Sequence, residues 1–316
     1  LSIEKTLMKH LLPALLLFCW SCTKNKPENK IPSPDDTPHL KNYSKTLLIA
    51  NWNVEWFGTT LYGRNPELQA LNAGRVLKYL AADLYGICEV VDTARFGKMI
   101  RDHLGNEFNY VISPYPRIDQ KLAFVFNKNI FRNVSARPFM SQSTTAAVSF
   151  ASGRFPFLLS AEVVVNGRRN QVNFILMHAK ANADTEAYNR RKEGSAELKD
   201  SLDAYFNGAH CMVFGDFNDQ FNGSIVRGNP SPYKNFLDDS SRYKALTLPL
   251  NAPGYQSTLS FANSVIDQQL VSGELRRWYK NNSVKIRTDV YSVVPDYGER
   301  STSDHYPVTS AYDITE

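Results

Sequence analysis

The sequence predicts an α/β fold of two stacked sheets flanked by helices, and three observations carry that expectation. Apolar runs with the length and the β-branched or aromatic content of strands occur at residues 46–53, 83–90, 108–113, 122–127, 155–165, 172–178, 211–215, 265–271 and 306–312. Helical spacing appears only at 66–82, 93–104 and 185–206, the last with Leu198, Leu202, Tyr205 and Phe206 on one stripe. Beyond residue 44 there is no repeat, low-complexity tract or long linker, so a single domain is expected over 45–316. Many strands with few helices bury their apolar faces by stacking two sheets and covering the outer faces with helices.

Composition agrees. Of 316 residues 43% are hydrophobic, enough for a sizeable core and too many for a disordered chain. Lys and Arg exceed Asp and Glu by 36 to 31, which permits a polyanionic ligand without the basic bias of a DNA-coating protein. Four cysteines cannot define a disulfide scaffold in a chain this long. Cys88 and Cys211 fall inside strand runs and are expected to be separate small core residues, a bridge between them being the alternative.

The first 44 residues follow a different pattern. Lys9 and His10 precede an apolar run over 11–18 that is too short to span a bilayer, as in an export signal, with Met8 as its expected start. Residues 23–44 are rich in Pro, Lys, Asn and Asp and are expected to be a disordered tether. The arrangement resembles a bacterial lipoprotein signal over 1–22, with Cys22 as the lipidated residue, although Cys19 stands where Leu is usual. That resemblance implies export to the bacterial cell envelope and contact with membrane only through the anchor; plain cleavage and secretion is the alternative.

The polar residues of interest lie at the ends of the expected strands, where a rigid scaffold hands side chains to a cleft. They are Asn53, Glu55, Glu89, Arg154, His178, Asp216, Asn218, Asp267, Asp304 and His305. Each alone has a plain explanation, since Asn and Asp start turns and a lone His is usually structural. Together they supply hard oxygen ligands suited to Mg²⁺, Mn²⁺ or Ca²⁺, two imidazoles and a guanidinium, with no Cys/His set spaced for zinc. Hydrolysis of a phosphate ester needs these parts: a cation to offset charge, a group to position water and donors for the phosphoryl oxygens. No G-x-S-x-G and no phosphate-cradling Gly loop competes.

At these positions the chain resembles the endonuclease/exonuclease/phosphatase superfamily, in particular its secreted bacterial nucleases and deoxyribonuclease I-like enzymes. The matching segments run in order from Asn51-Trp-Asn-Val-Glu55 through Ile87-Cys-Glu-Val90, Leu176-Met-His-Ala-Lys180 and Gly215-Asp-Phe-Asn218 to Val265-Ile-Asp267 and Ser303-Asp-His-Tyr-Pro-Val308. The resemblance implies a four-layer α/β/β/α sandwich of two mainly antiparallel sheets with the cleft at one end. It implies that Glu89 binds a divalent cation, Mg²⁺ or else Mn²⁺ or Ca²⁺, with Asn53 and Glu55 close by and Asp304 supporting metal or water. Asp216 would orient or deprotonate the attacking water, Asn218 and Arg154 would contact phosphate, and Asp267 would hold His305. His178 would donate to a phosphoryl oxygen or the leaving group, and Lys180 is placed with the phosphate-binding residues.

Two positions depart from the pattern. Ile118 and Gln120 stand where deoxyribonuclease I-like members carry Tyr and Glu, which leaves His178 without its usual partner; Asp119 and Tyr115 are the candidate replacements. The expected activity is a nuclease acting on DNA, or else RNA, as a monomer. Arg117, Lys121, Lys180, Arg190 and Arg191 would suit a phosphate backbone, while the plainer expectation for Arg190, Arg191 and Lys192 is a solvated helix face. A phosphatase or phospholipid phosphodiesterase and a non-catalytic surface module are the alternatives. Neither a long apolar hairpin for docking on lipid nor the Trp-Thr-Asp-Arg signature of phosphoinositide phosphatases is present.

Overall fold

In the computed structural model the described residues are 46–115, 119–150 and 153–314. The expected signal and tether, Cys22, Arg117 and Ile118 lie outside them. Twelve strands are formed among the described residues: β1 Thr46–Phe57, β2 Leu84–Val90, β3 Phe108–Ile112, β4 Lys121–Asn127, β5 Phe131–Pro138, β6 Phe157–Val165, β7 Arg168–His178, β8 His210–Asp216, β9 Tyr243–Ala245, β10 Asp267–Ser272, β11 Lys285–Ile286 and β12 Val308–Asp313. They pair into two six-stranded sheets, ordered β11-β12-β1-β2-β4-β3 and β5-β6-β7-β8-β10-β9. Pairing is antiparallel except between β1 and β2 and between β7 and β8. Each parallel pair needs a long crossover, and helices supply it: α1 Pro66–Leu80 between β1 and β2, and, after α2 Thr93–Leu104 and α3 Thr144–Ser149, the long α4 Thr185–Tyr205 between β7 and β8.

Local sequence starts each long helix. Asn65 caps α1 by accepting from the Glu67 and Leu68 amides, with Pro66 at the first helical position. Asp92 caps α2 and Asp184 caps α4 in the same way. Burial follows strand alternation and divides the apolar residues into three layers. Leu47, Ile49, Phe124, Phe174, Leu176, Met212 and Phe214 fill the space between the sheets. Trp52, Val54, Tyr85 and Ile87 face outward to α1 and α2, and Ile175, Met177 and Val213 face outward to α3 and α4. Three apolar layers separate four layers of structure, the expected sandwich.

Two expectations differ in detail, and one alternative is settled. β5 was not expected, because its sequence Phe-Arg-Asn-Val-Ser-Ala-Arg-Pro lies on a sheet edge and is mostly exposed, so it lacks an apolar run. Tyr205, assigned to the buried stripe of α4, is 76% exposed, whereas Leu198 and Leu202 are buried. Cys88 and Cys211 are both buried free thiols, the separate core residues expected, and the alternative of a bridge does not hold.

The close approach of β7 and β8 depends on one glycine. Gly215 has φ +128°, and a Cβ built there would stand 2.2 Å from the Met177 carbonyl oxygen. Gly215→Ala therefore combines a backbone conformation that L residues avoid with a backbone clash, and should cost about 2 kcal/mol or more. Urea unfolding measures this; an unchanged midpoint would mean that the strands can separate there without loss.

Candidate active site

The site is the polar end of the layer between the sheets. Along β1 the inward-facing positions run Leu47, Ile49, Asn51, Asn53; along β7, Phe174, Leu176, His178; along β8, Met212, Phe214, Asp216; and, in the reverse chain direction, along β10, Val271, Gln269, Asp267. Each row changes from apolar to polar at the same end. Register then sets the polar groups side by side, because His178 pairs with Asp216 across the parallel β7 and β8 and Asp267 pairs with Asp216 across the antiparallel β8 and β10. Two amide side chains tie the sheets together just beneath them: Asn51 donates to the Gly215 carbonyl at 3.3 Å, and Gln269 donates to Asn51 Oδ1 at 2.9 Å.

Glu89 reaches this layer through a break in strand regularity. The β1–β2 register shifts between Asn53 and Phe57, and the β2–β4 register shifts between Ile87 and Val90. Glu55, Trp56 and Glu89 take positive φ values of 46°, 50° and 68°. Such conformations persist in non-glycine residues only where surrounding contacts over-determine them. Here the contacts are explicit: Asn53 Nδ2 donates to Glu89 Oε1 at 2.9 Å and to Asp216 Oδ2 at 3.0 Å, and the Trp56 amide donates to Glu89 Oε2 at 2.9 Å. Asn53 Oδ1 accepts from the Glu55 amide, so one buried side chain positions three acidic residues.

The two histidines sit in opposite electrostatic surroundings. His305 Nδ1 lies 2.8 Å from Asp267 Oδ2, which also accepts from Ser257, and His305 Nε2 lies 4.0 Å from Asp216 and 3.7 Å from Asp304. Burial opposes charge on His305, but Asp267, Asp216 and Asp304 outweigh it and hold its pKa well above the ordinary histidine value. His178 Nε2 lies 3.4 Å from Asp216 and 3.7 Å from Glu89. Burial, then Arg154 and His305, push its pKa well below the ordinary value. Burial lifts the Asp216 carboxyl to about 7, against the pull of the His305 charge.

Arg154 is buried, and its Nη1 donates to Gln120 Oε1 at 2.8 Å. Gln120 thus engages the arginine, and His178 Nδ1 has no hydrogen-bond partner. The expectation that Asp119 stands in for the missing Glu is corrected: Asp119 is exposed and leaves that nitrogen unpaired. Tyr115 is not available to the site either, its hydroxyl being donated to the Phe155 carbonyl. Asn218, at φ 51°, donates its amide nitrogen to Asp216 Oδ1 and its side chain to the Ala179 carbonyl. Lys180 is half-buried beside this loop, with its carbonyl accepting from Arg191.

Arg191 overturns both expectations made for it. It is neither a solvated helix residue nor a phosphate contact but fully buried, pairing with Asp219 through Nε at 2.9 Å and donating Nη1 to the carbonyls of Lys180 and Asn182. Asp219 in turn accepts from Ser224 and from the amides of Gln220 and Ile225. One side chain of α4 therefore fastens the loops that follow His178 and Asp216. Arg190 and Lys121, also assigned to a basic rim, donate to the carbonyls of Val148 and Tyr115.

Above the buried layer opens a cleft of about 450 Å³ lined by Glu55, Trp56, Arg64, Glu89, Glu299, Arg300, Asp304 and His305. Arg64 pairs with Glu55, whose other oxygen accepts from the Asp304 amide at 2.8 Å. Burial and the Asp304 carboxylate lift the Glu55 pKa to about 8. Arg64, Glu299 and Arg300 are absent from the sequence-level site, since nothing local distinguishes them from surface charges; only the cleft assembles them.

Among the described residues, two groups have ligand atoms within 4.8 Å of one another: Asp216, Asp267 and His305, and Glu55, Glu299 and Asp304. In the first, Asp267 Oδ2 already engages His305, and a charged imidazole has no lone pair for a cation. The second is an all-oxygen set on the cleft beside Glu89, and Asp304 Oδ1 is buried without a hydrogen-bond partner. These residues fit a hard divalent cation.

No family model and no curated protein matches the chain. Solved structures do match it along most of its length. An endonuclease/exonuclease/phosphatase family protein of Bacteroides thetaiotaomicron superposes with TM-score 0.61 at 15% identity, covering 85% of this chain and 96% of that one. The catalytic domain of human Nocturnin with bound sulfate gives TM-score 0.56 at 15% identity over 86% and 95% of the two chains. A mannosyl-6-phosphatase of Bacteroides thetaiotaomicron gives 0.56 at 13% identity over 84% and 98%.

Two measurements check the geometry. In ring-nitrogen NMR titrations of the metal-free protein, His305 should stay charged as pH rises past the ordinary histidine pKa, and His178 should stay neutral as pH falls below it. The reverse order would mean that Asp267 does not control His305. Arg191→Met should destabilise the chain by about 3–5 kcal/mol, because it leaves Asp219 buried without its cation; a loss below about 1 kcal/mol in urea unfolding would show that the pair is not needed. The chain has the endonuclease/exonuclease/phosphatase fold, with a buried Asp216, Asp267 and His305 cluster at one end of its two sheets.

Proposed function

We propose that the protein is a metal-dependent phosphodiesterase of the secreted bacterial nuclease and deoxyribonuclease I-like type, hydrolysing DNA or RNA. One observation carries the hydrolytic reading: Asp216 stands between His178 and His305, whose pKa values are pushed in opposite directions, and His305 lines the cleft. Asp216, with its pKa near 7, is suited to accept a proton from the attacking water near neutral pH. The charged His305, oriented by Asp267, stabilises the developing negative charge, and neutral His178 donates a hydrogen bond to a phosphoryl oxygen. Arg154 and Asn218 orient the phosphate, the bond from phosphorus to the leaving oxygen breaks as the bond to water forms, and the leaving oxygen is protonated by solvent. Glu89 with Asp304, Glu55 and Glu299 would hold a divalent cation, Mg²⁺ in this reading, which offsets phosphoryl charge when bound.

The loop from Leu248 to Phe261 favours a nucleic acid among phosphate esters. Leu248, Tyr255, Leu259 and Phe261 are large apolar side chains exposed at 39%, 48%, 37% and 51%. The loop is fixed to the site: Ser257 donates to Asp267, Ser260 donates to Asp304 Oδ2 at 2.8 Å, and Thr258 bridges His305. Exposed aromatic groups next to a phosphate-binding cleft suit the faces of nucleobases. The fold likeness to a mannosyl-6-phosphatase supports a second reading, a sugar phosphatase.

Turnover should stop in EDTA and return with Mg²⁺, and Glu89→Gln should weaken the metal response far more than it lowers the melting temperature. His178→Ala and His305→Ala should each reduce the rate by about 10² to 10⁴ in protein that still folds, His305→Ala with a lower melting temperature because buried Asp267 loses its partner. Plasmid DNA, RNA and mannose 6-phosphate assayed in parallel decide the substrate. Metal-independent turnover, or near-wild-type rates in both histidine variants, would refute the mechanism; activity confined to the sugar phosphate would refute the nuclease reading.

A further inference from the structure

The segment between Tyr297 and Asp304 carries a cation that the chemistry above does not use. Three positively charged groups line the cleft, and two are committed: Arg64 to Glu55 and His305 to Asp267. Arg300 is exposed and makes no hydrogen bond or ion pair among the described residues. Its backbone is nonetheless held from both sides. Arg64 Nε donates to the Glu299 carbonyl at 3.1 Å, Asn72 donates to the Ser301 carbonyl at 3.1 Å, and Gln69 donates to the Thr302 carbonyl at 3.1 Å.

A fixed backbone with an unengaged guanidinium at its tip is a pre-organised donor, because the ordering cost of the loop is already met within the fold. Glu299 beside it belongs to the acidic set that fits a cation, so Arg300 is the group on this lip left to meet an anion. It stands on the Glu55 side of the cleft, whereas the guanidinium assigned to the scissile phosphate, Arg154, has Gln120 as its partner and does not line that cleft. We propose that Arg300 forms a second phosphate subsite, binding the phosphate next to the scissile one in a nucleic-acid strand. This rests on the nuclease reading and narrows it: substrates with flanking phosphates are preferred over isolated phosphate esters. Arg300 contributes affinity for the strand and takes no part in bond cleavage.

The test compares Arg300→Gln with wild type on bis(4-nitrophenyl) phosphate, which has a single phosphodiester, and on a single-stranded oligodeoxynucleotide used both as substrate and as competitor. Lys128→Gln, an exposed charge on the turn after β4 at the far end of the sheet, is the control. In Arg300→Gln the oligonucleotide inhibition constant should rise about tenfold, as expected for loss of a charge-assisted hydrogen bond. Its dependence on log salt should become shallower by about 0.7, the loss of one phosphate contact with a single strand. Turnover of the small diester should stay within about twofold in both variants. An unchanged inhibition constant, a parallel loss on the small diester, or an equal loss in Lys128→Gln would overturn the subsite. A wild-type protein that hydrolyses the diester but neither cuts nor binds the strand would overturn the nuclease reading and the subsite together, whereas a strand cut with Arg300-independent affinity would overturn the subsite alone.

Discussion

Burying carboxylates and imidazoles between two sheets is the constraint on which the rest of the structure depends. An isolated charge in that layer would cost far more than the fold has to spare, so each buried group must find a partner of opposite charge or a hydrogen bond. Asp216 meets Asn53, the Asn218 amide and two imidazoles; Asp267 meets Ser257 and His305; Glu89 meets Asn53 and the Trp56 amide. The partners come from β1, β2, β7, β8, β10 and the segment before β12, so both sheets must be correctly stacked for any one group to be satisfied. Satisfaction is also incomplete. His178 Nδ1, Asp267 Oδ1 and Asp304 Oδ1 are buried without hydrogen-bond partners, all three in residues of the site, while Ser149 Oγ and Glu197 Oε2 are further such atoms outside it.

The supporting shell shows how far outward this demand reaches. Gln69 on α1 donates to the carbonyls of Val54, Glu55 and Thr302, pinning the irregular end of β1 to the segment that carries Asp304 and His305. Trp52 and Tyr297 both donate to the His305 carbonyl, and Ser303 joins the Asn53 carbonyl to the His305 amide. Arg191 plays the corresponding part in the second sheet. Helices on both outer faces thus reach past the apolar layers to hold loops at the polar end, which lets strained residues such as Glu55 and Glu89 keep their conformations.

Much of this was legible in the sequence because strand ends announce themselves. His178, Asp216 and Asp267 close or open apolar runs whose alternation is plain, and their lateral alignment follows once the runs are paired. Asn53 and Glu89 were legible for the same reason. Glu299 and Arg300 were not, since they lie in an irregular segment with no period and become cleft residues only when Arg64 and Asn72 fix the chain there. Arg191 was misjudged because Asn-Arg-Arg-Lys looks like a solvated run, and the pattern of a helix does not reveal which of two adjacent arginines turns inward to an aspartate 28 residues away.

The outer edges of the sheets have a consequence for behaviour in concentrated solution. β9 and β11, each at one sheet edge, have three and two residues, too short to template another chain. β5, at the opposite edge of its sheet from β9, is longer, but Arg132 and Arg137 charge it, Pro138 removes a donor, and a register break with Asn133 at φ 51° bends it between Arg132 and Ser135. Unpaired strand edges are the sites where sheets of different molecules join, and charge, proline and bulges are the devices that prevent it. The features that concealed β5 in the sequence are those that keep this edge from recruiting a neighbour, so self-association through it is disfavoured even when the chain is crowded.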